Sequence, residues 1–258
     1  MTVNDILNKI EEFAPPALAY SWDNVGLLVG SGKREVKRVL IALDADLSVI
    51  AEAIDKKCDL IVSHHPMFFK GVKRILSDNA QGMEIELLIK NDISVIAAHT
   101  NMDCTKGGIN DRLAELFELE NVEVLDENPA FPGCGLGRIG DLKKATDIGS
   151  LAVDTKMALG IDNVRVAGSP RTKIERIAVA GGSCSEVIPL AAAKGCQAII
   201  TGDMKYHETM DAANSGICVI DAGHYGTEKN VIEIFERILE PLGVELVKSY
   251  RTDVFVFI

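Results

Sequence analysis

The chain has no C-x-x-C pair. Its six cysteines (Cys58, Cys104, Cys134, Cys184, Cys196 and Cys218) are scattered over 258 residues, a pattern that fits neither a zinc ribbon nor a dithiol redox motif. No apolar run approaches the roughly 20 residues of a membrane helix. The start, Met1 to Phe13, is a charged amphipathic pattern rather than an apolar signal core. The expectation is a cytoplasmic protein whose cysteines are reduced and mostly buried. Positive charge is scarce: 27 Lys and Arg against 38 Asp and Glu leave a net charge of −11. That balance argues against a nucleic-acid surface, which needs clustered cations, but not against a small anionic substrate held by a metal. There is no P-loop and no G-x-S-x-G elbow. Tryptophan occurs once, and histidine only five times.

What is present is an ordinary globular composition, 47% hydrophobic and 25% charged, in a chain long enough for a substantial core. Thr2-Val3-Asn4-Asp5 reads as a capping box before a helix. Trp22-Asp23-Asn24-Val25-Gly26-Leu27-Leu28-Val29-Gly30 gives a turn and a short strand, read first as a packed corner of the core and second as a loop edging a site. From Arg38 the pattern is β, α, β. Strands are expected at Val39 to Leu43, Leu60 to Val62 and Ile93 to Ala98, and helices at Leu47 to Lys57 and Gln81 to Lys90. A further helix follows Gly107-Gly108. The stretch from Asn121 to Ser169 is less regular. Its G-x-G-x-x-G at Gly135, Gly137 and Gly140 is preceded by Pro132 and reads as a glycine-rich turn into a short strand, not a dinucleotide site. Lys229 to Leu239 reads as a helix, and Val244 to Val247 and Val254 to Ile258 as closing strands.

The chain also repeats itself. Arg38–His65 lies on Arg176–Asp203 without a gap, at a constant offset of 138, with eight identical pairs that include Arg38/Arg176, Cys58/Cys196 and Ile61/Ile199. Ile93 to Ile96 then matches Ile217 to Ile220 at an offset of 124. Such self-similarity indicates a duplicated βαβ-type unit. The expected fold is α/β, with two similar lobes, residues 1–128 and 129–258, and a metal site between them at the strand C-terminal ends.

All five histidines fall at or just past the ends of apolar runs: His64, His65, His99, His207 and His224. Asp103 and Glu228 accompany them. Imidazole and carboxylate ligate zinc, manganese, iron and cobalt, so His64, His65, Asp103, His224 and Glu228 are candidate metal ligands. Adjacent histidines on an extended segment point in opposite directions, which favours two ions over one. His224 and Glu228 are one helical turn apart, and a glutamate can bridge two ions. His99 and His207 are candidates for acid–base work or for orienting a ligand. Asp44, Asp203 and Asp221 also lie at strand ends, as orienting partners or as helix caps. Ser183-Cys184-Ser185 after Gly181-Gly182 reads equally as an anion cradle or as a tight turn.

Val62-Ser63-His64-His65-Pro66, His99-Thr100-Asn101-Met102-Asp103 and Gly223-His224-Tyr225-Gly226-Thr227-Glu228 resemble the signatures of the Nif-three-like family of dinuclear metal-centre proteins, often labelled GTP cyclohydrolase I type 2 homologs. Trp22 to Leu27, Ala180-Gly181-Gly182-Ser183 and Thr201-Gly202-Asp203 fit the same pattern. The resemblance spans nearly the whole chain. It implies that His65 and Asp103 hold one divalent ion, His64 and His224 a second, and Glu228 bridges. The ions would be zinc, iron, manganese, cobalt or nickel. It also implies a toroidal homohexamer without the extra domain that some members insert in mid-chain. The expected function is metal-dependent hydrolysis of a nucleotide or related small molecule, with a non-catalytic metal-binding scaffold or regulatory protein as the alternative.

Overall fold

The structure, a computed structural model, describes residues 1–256. The elements in chain order begin with α1 (Val3–Phe13), β1 (Gly26–Val29), β2 (Arg38–Ala42), α2 (Leu47–Asp55) and β3 (Leu60–Ser63). There follow α3 (Ala80–Lys90), β4 (Ser94–Ala97), α4 (Thr100–Cys104), α5 (Ile109–Leu116), β5 (Glu120–Glu127) and β6 (Gly135–Thr146). Next come α6 (Ile148–Leu159), β7 (Arg165–Ala167), β8 (Ile174–Val179), α7 (Ile188–Ala193), β9 (Ala198–Thr201) and α8 (Tyr206–Asn214). The chain closes with β10 (Cys218–Asp221), α9 (His224–Glu228), α10 (Val231–Leu239) and β11 (Glu245–Lys248). The capping box at Thr2 forms: Asp5 N donates to Thr2 Oγ1 (3.3 Å), and Thr2 N donates to Asp5 Oδ2 (2.7 Å).

The chain folds into two compact units. The first comprises Met1–Thr105 and Val231–Thr252, and the second Lys106–Asn230 with the segment from Asp253. The division is therefore not a single cut at 128/129. The chain returns to the first unit through α10 and β11, because β11 pairs in parallel with β2, from Glu245 beside Arg38 to Lys248 beside Ile41. Val254 to Val256 form no strand, and the rest of that expected closing strand lies outside the described residues.

The first unit holds a five-stranded sheet ordered β1-β4-β3-β2-β11, parallel except for β1. Its central strands are apolar without alternation because both faces are covered. Leu40, Ala42, Ile61 and Val95 pack with Val49, Ile50 and Ala53 of α2 and Leu88 of α3. The alternate residues face the side on which α10 lies against β2 and β11, with α1 against α10.

In the second unit the order is β5-β6-β8-β9-β10-β7, with β8, β9 and β10 parallel and β5, β6 and β7 antiparallel to their neighbours. The stretch read as irregular thus contains three strands and helix α6. The glycine-rich segment opens a strand of 12 residues, not a short one. It runs into a strand rather than into a helix, which removes the geometry a dinucleotide fingerprint needs.

The duplication is visible in three dimensions. β9 stands 138 positions after β3, β10 stands 124 after β4, and the short helix α9 stands 124 after α4. Even a side-chain lock repeats. Lys37 N and Arg38 N donate to Asp59 Oδ2 at 2.8 and 2.9 Å, and Glu175 N and Arg176 N donate to Gln197 Oε1 at 2.9 Å each. Burial pushes the paired thiols Cys58 and Cys196 up to about 11 alike. Among the described residues no disulfide forms, and five of the six thiols are buried.

Candidate metal centre

In the first unit the histidine pair follows β3 at a bend, not on an extended segment. His64 N and His65 N both turn back to Leu43 O, at 3.1 and 2.9 Å. The expectation that the two rings diverge is corrected: their centroids are 4.9 Å apart. His99, at the end of β4, brings its ring to 5.1 Å from His64 and 5.6 Å from His65. One donor atom from each of the three histidines lies within 4.8 Å of the other two. Asp103, on α4, places Oδ1 3.6 Å from His64 Nε2. Opposed side chains therefore give no reason for two ions.

In the second unit His224 is the first residue of α9, and Glu228 lies one turn along. His224 Nε2 is 3.0 Å from Glu228 Oε2, as the four-residue spacing requires. Two ligands at about 2.1 Å from one ion stand about 3 to 3.4 Å apart at right or tetrahedral angles.

One rule holds at four of the five histidines. His64 Nδ1 donates to Ala98 O (2.9 Å), and His65 Nδ1 to Asp44 Oδ1 (2.7 Å). His99 Nδ1 donates to Asp23 Oδ1 (2.9 Å), and His224 Nδ1 to Asp203 Oδ2 (2.8 Å). A carbonyl or carboxylate only accepts, so Nδ1 carries a proton in all four and Nε2 is the atom left to face a cation. This is how ligating histidines are oriented and tuned. The donor set fits a borderline divalent cation: three imidazoles and a carboxylate in one unit, an imidazole and a carboxylate in the other.

Asp44 and Asp203 are thus orienting partners. Asp221 instead accepts from Met204 N and Gly223 N, both at 3.0 Å, and holds the loop. Asp23, which spacing could not single out, is the main omission of sequence reasoning. Burial acts to raise its carboxyl, but hydrogen bonds from His99 and then Thr100 overcome this and hold it below the usual carboxylate range. Its neighbour Trp22 is exposed, so the packed-corner reading gives way to a loop edging the histidines. The Gly181-Gly182 loop is a tight turn: Gly181 N donates to Asn110 Oδ1 (2.9 Å) and Gly182 N to Thr227 Oγ1 (3.0 Å). His207 sits exposed on the first turn of α8 with its ring against Tyr206, and it joins none of the donor groups among the described residues.

The fold and these donors define a class, a two-lobed α/β protein with histidine–carboxylate clusters beyond the carboxyl ends of parallel strands. The family described as Duf34/NIF3 (NGG1p interacting factor 3) matches residues 1–253, and the chain belongs to it. It is 37% identical over 262 residues to the GTP cyclohydrolase 1 type 2 homolog of Clostridium perfringens, with 100% of each covered. A Bacillus cereus protein related to NIF3 has a similar crystal structure, with TM-score 0.91 and 28% identity over 100% of this chain and 99% of that one. The Staphylococcus aureus protein SA1388 gives 0.90 and 32%, with the same coverage.

Proposed function

We propose that the chain is a dinuclear divalent-metal hydrolase acting on a nucleotide or related small molecule, with His64, His65, Asp103, His224 and Glu228 as ligands. The observation that carries this reading is the shared Nδ1 anchoring of His64, His65 and His224, which turns the Nε2 of each proposed ligand away from its carbonyl or carboxylate partner. The relatives' name, GTP cyclohydrolase 1 type 2 homolog, supports the nucleotide class. When bound, the ions would acidify a water and polarise the atom it attacks. The protein supplies the rest. Asp44 and Asp203 hold the tautomers of His65 and His224. His99, held by Asp23, would offer its Nε2 to a substrate proton. We place the protein in the cytoplasm. No helix among the described residues is long and apolar enough to cross a membrane.

Elemental analysis of protein purified in metal-replete medium is expected to give close to two divalent ions per chain. A value near zero would sink the site. A screen of nucleotides and phosphate esters with Mn, Fe, Co and Zn is expected to reveal turnover that is lost in His65→Ala and Asp103→Ala. Full metal loading without turnover in any arm would leave a metal-binding scaffold. We also propose a homohexamer, so light scattering is expected to return about six times the chain mass of 27.9 kDa. A monomeric mass would overturn that assembly.

A further inference from the structure

The only tryptophan lies on the surface. Trp22 is 58% exposed, Phe69 48% and Tyr20 38%. These rings touch one another: Trp22 stacks on Tyr20 at 5.9 Å with an interplanar angle of 16°, and meets Phe69 at 5.9 Å. Both Trp22 and Phe69 flank His99, at 6.0 and 5.6 Å. Large aromatic side chains normally bury most of their surface, and a contiguous exposed group of them marks a binding face.

The loops that carry these rings are fixed. Tyr20 N donates to Thr100 Oγ1 (3.0 Å). Asp23, next to Trp22, has its side chain wholly buried and accepts from His99 Nδ1 (2.9 Å) and Thr100 N (3.0 Å). Asn24 Nδ2 donates to Phe68 O (2.7 Å), which ties the tryptophan loop to the segment bearing Phe69. A face that is both exposed and held in place before any ligand arrives loses little entropy on binding.

We propose that Tyr20, Trp22 and Phe69 form a stacking platform for a planar nitrogen-heteroaromatic ring of nucleobase size, its edge directed at His99 and His65. This rests on the reading of those histidines as a metal centre, and adds the ring and the residues that hold it. Aromatic side chains accept such a ring by its face, whatever its substituents. Ring N–H and amino groups then donate to His99 Nε2 at the edge. A sugar phosphate without the base offers no such face.

Calorimetric titration of the metal-replete full chain with guanosine and adenosine monophosphates, and with ribose 5-phosphate as the ring-free probe, tests this. Trp22 reports in parallel as the sole indole. At least one nucleotide is expected to bind and quench Trp22, with ribose 5-phosphate weaker by at least about 5-fold. Trp22→Ala is expected to weaken nucleotide binding by roughly 5- to 150-fold, and Trp22→Phe by less. Metal content is expected to be unchanged in both. Equal binding of ribose 5-phosphate, no nucleotide binding at all, or unweakened binding by Trp22→Ala would overturn the platform. So would a changed assembly mass in Trp22→Ala, which would assign this face to a second copy of the chain. Metal analysis of the same samples keeps failure of the metal centre distinguishable from failure of ring binding.

Discussion

Replacing Asp111 by Ala is expected to destabilise the protein by about 3 to 5 kcal/mol, the cost of removing one partner from a buried ion pair. Arg138 is only 2% exposed. Its Nε and Nη2 donate to the two Asp111 oxygens at 2.6 and 2.8 Å, and its Nη1 donates to Gly135 O and Gly137 O at 2.8 Å each. Taking away the carboxylate removes the two charge-assisted bonds to Nε and Nη2 of a cation that is almost wholly buried. Asp111 also accepts from Gly107 N (2.6 Å), so the turn into α5 loosens as well. Urea denaturation followed by circular dichroism checks the figure. The double variant Asp111→Ala/Arg138→Met is expected to recover much of the loss, because it removes the buried charge along with its partner. By contrast, Glu118→Ala, which breaks the exposed Lys143 pair, is expected to leave stability nearly unchanged. A loss for Asp111→Ala no larger than that would show that the pair carries no special weight. The same arginine explains what the glycine-rich stretch does. The carbonyls of Gly135 and Gly137 face a guanidinium from within the same strand, not a phosphate.

The second large effect is expected at Gly182. Its φ is +71°, and a Cβ there would come 2.2 Å from Glu228 Oε1 and 3.4 Å from His224 Nε2. Gly182→Ala must therefore displace the Glu228 carboxylate from the side chain it meets one helical turn back. If Glu228 is a ligand as proposed, displacing it is expected to lower metal affinity by about 10- to 100-fold, on the scale seen when the support of a ligand is lost. Left-handed backbone adds its own cost of about 1 to 2 kcal/mol for a residue with a side chain. Gly195 separates the two contributions. Its φ is +80°, yet a Cβ there meets nothing within 4 Å. Gly195→Ala is expected to lose stability alone, and Gly182→Ala to lose metal too. Dialysis against graded chelator, followed by elemental analysis, distinguishes them. Equal metal retention in both variants would sink the encroachment argument, and equal metal loss would assign the effect to backbone strain.

Much of this molecule is legible in its sequence, and for a definite reason. Parallel strands buried on both faces must be apolar throughout, so Leu60–Ser63 and Ala198–Thr201 announce themselves, and the offset of 138 carries over to the strands and to the Asp59 and Gln197 locks. The i, i+4 geometry of His224 and Glu228 follows from helix pitch alone. The β5–β6 hairpin was hidden because three glycines weaken its strand signal and its pairing is bulged between Glu120 and Glu123.

The sequence by itself determined the duplicated α/β units and singled out the candidate donors, because periodicity and chemistry are local properties. Tertiary structure alone decided three other things. It returned α10 and β11 to the first unit, through a parallel pairing more than 200 positions apart in the chain. It folded His64 and His65 to the same side, because their amides turn back to Leu43 O. It also set Asp23 against His99, 76 residues away, and left Trp22 in solvent beside them. Each depends on which backbone and carboxylate partners meet in space, and no spacing along the chain encodes that.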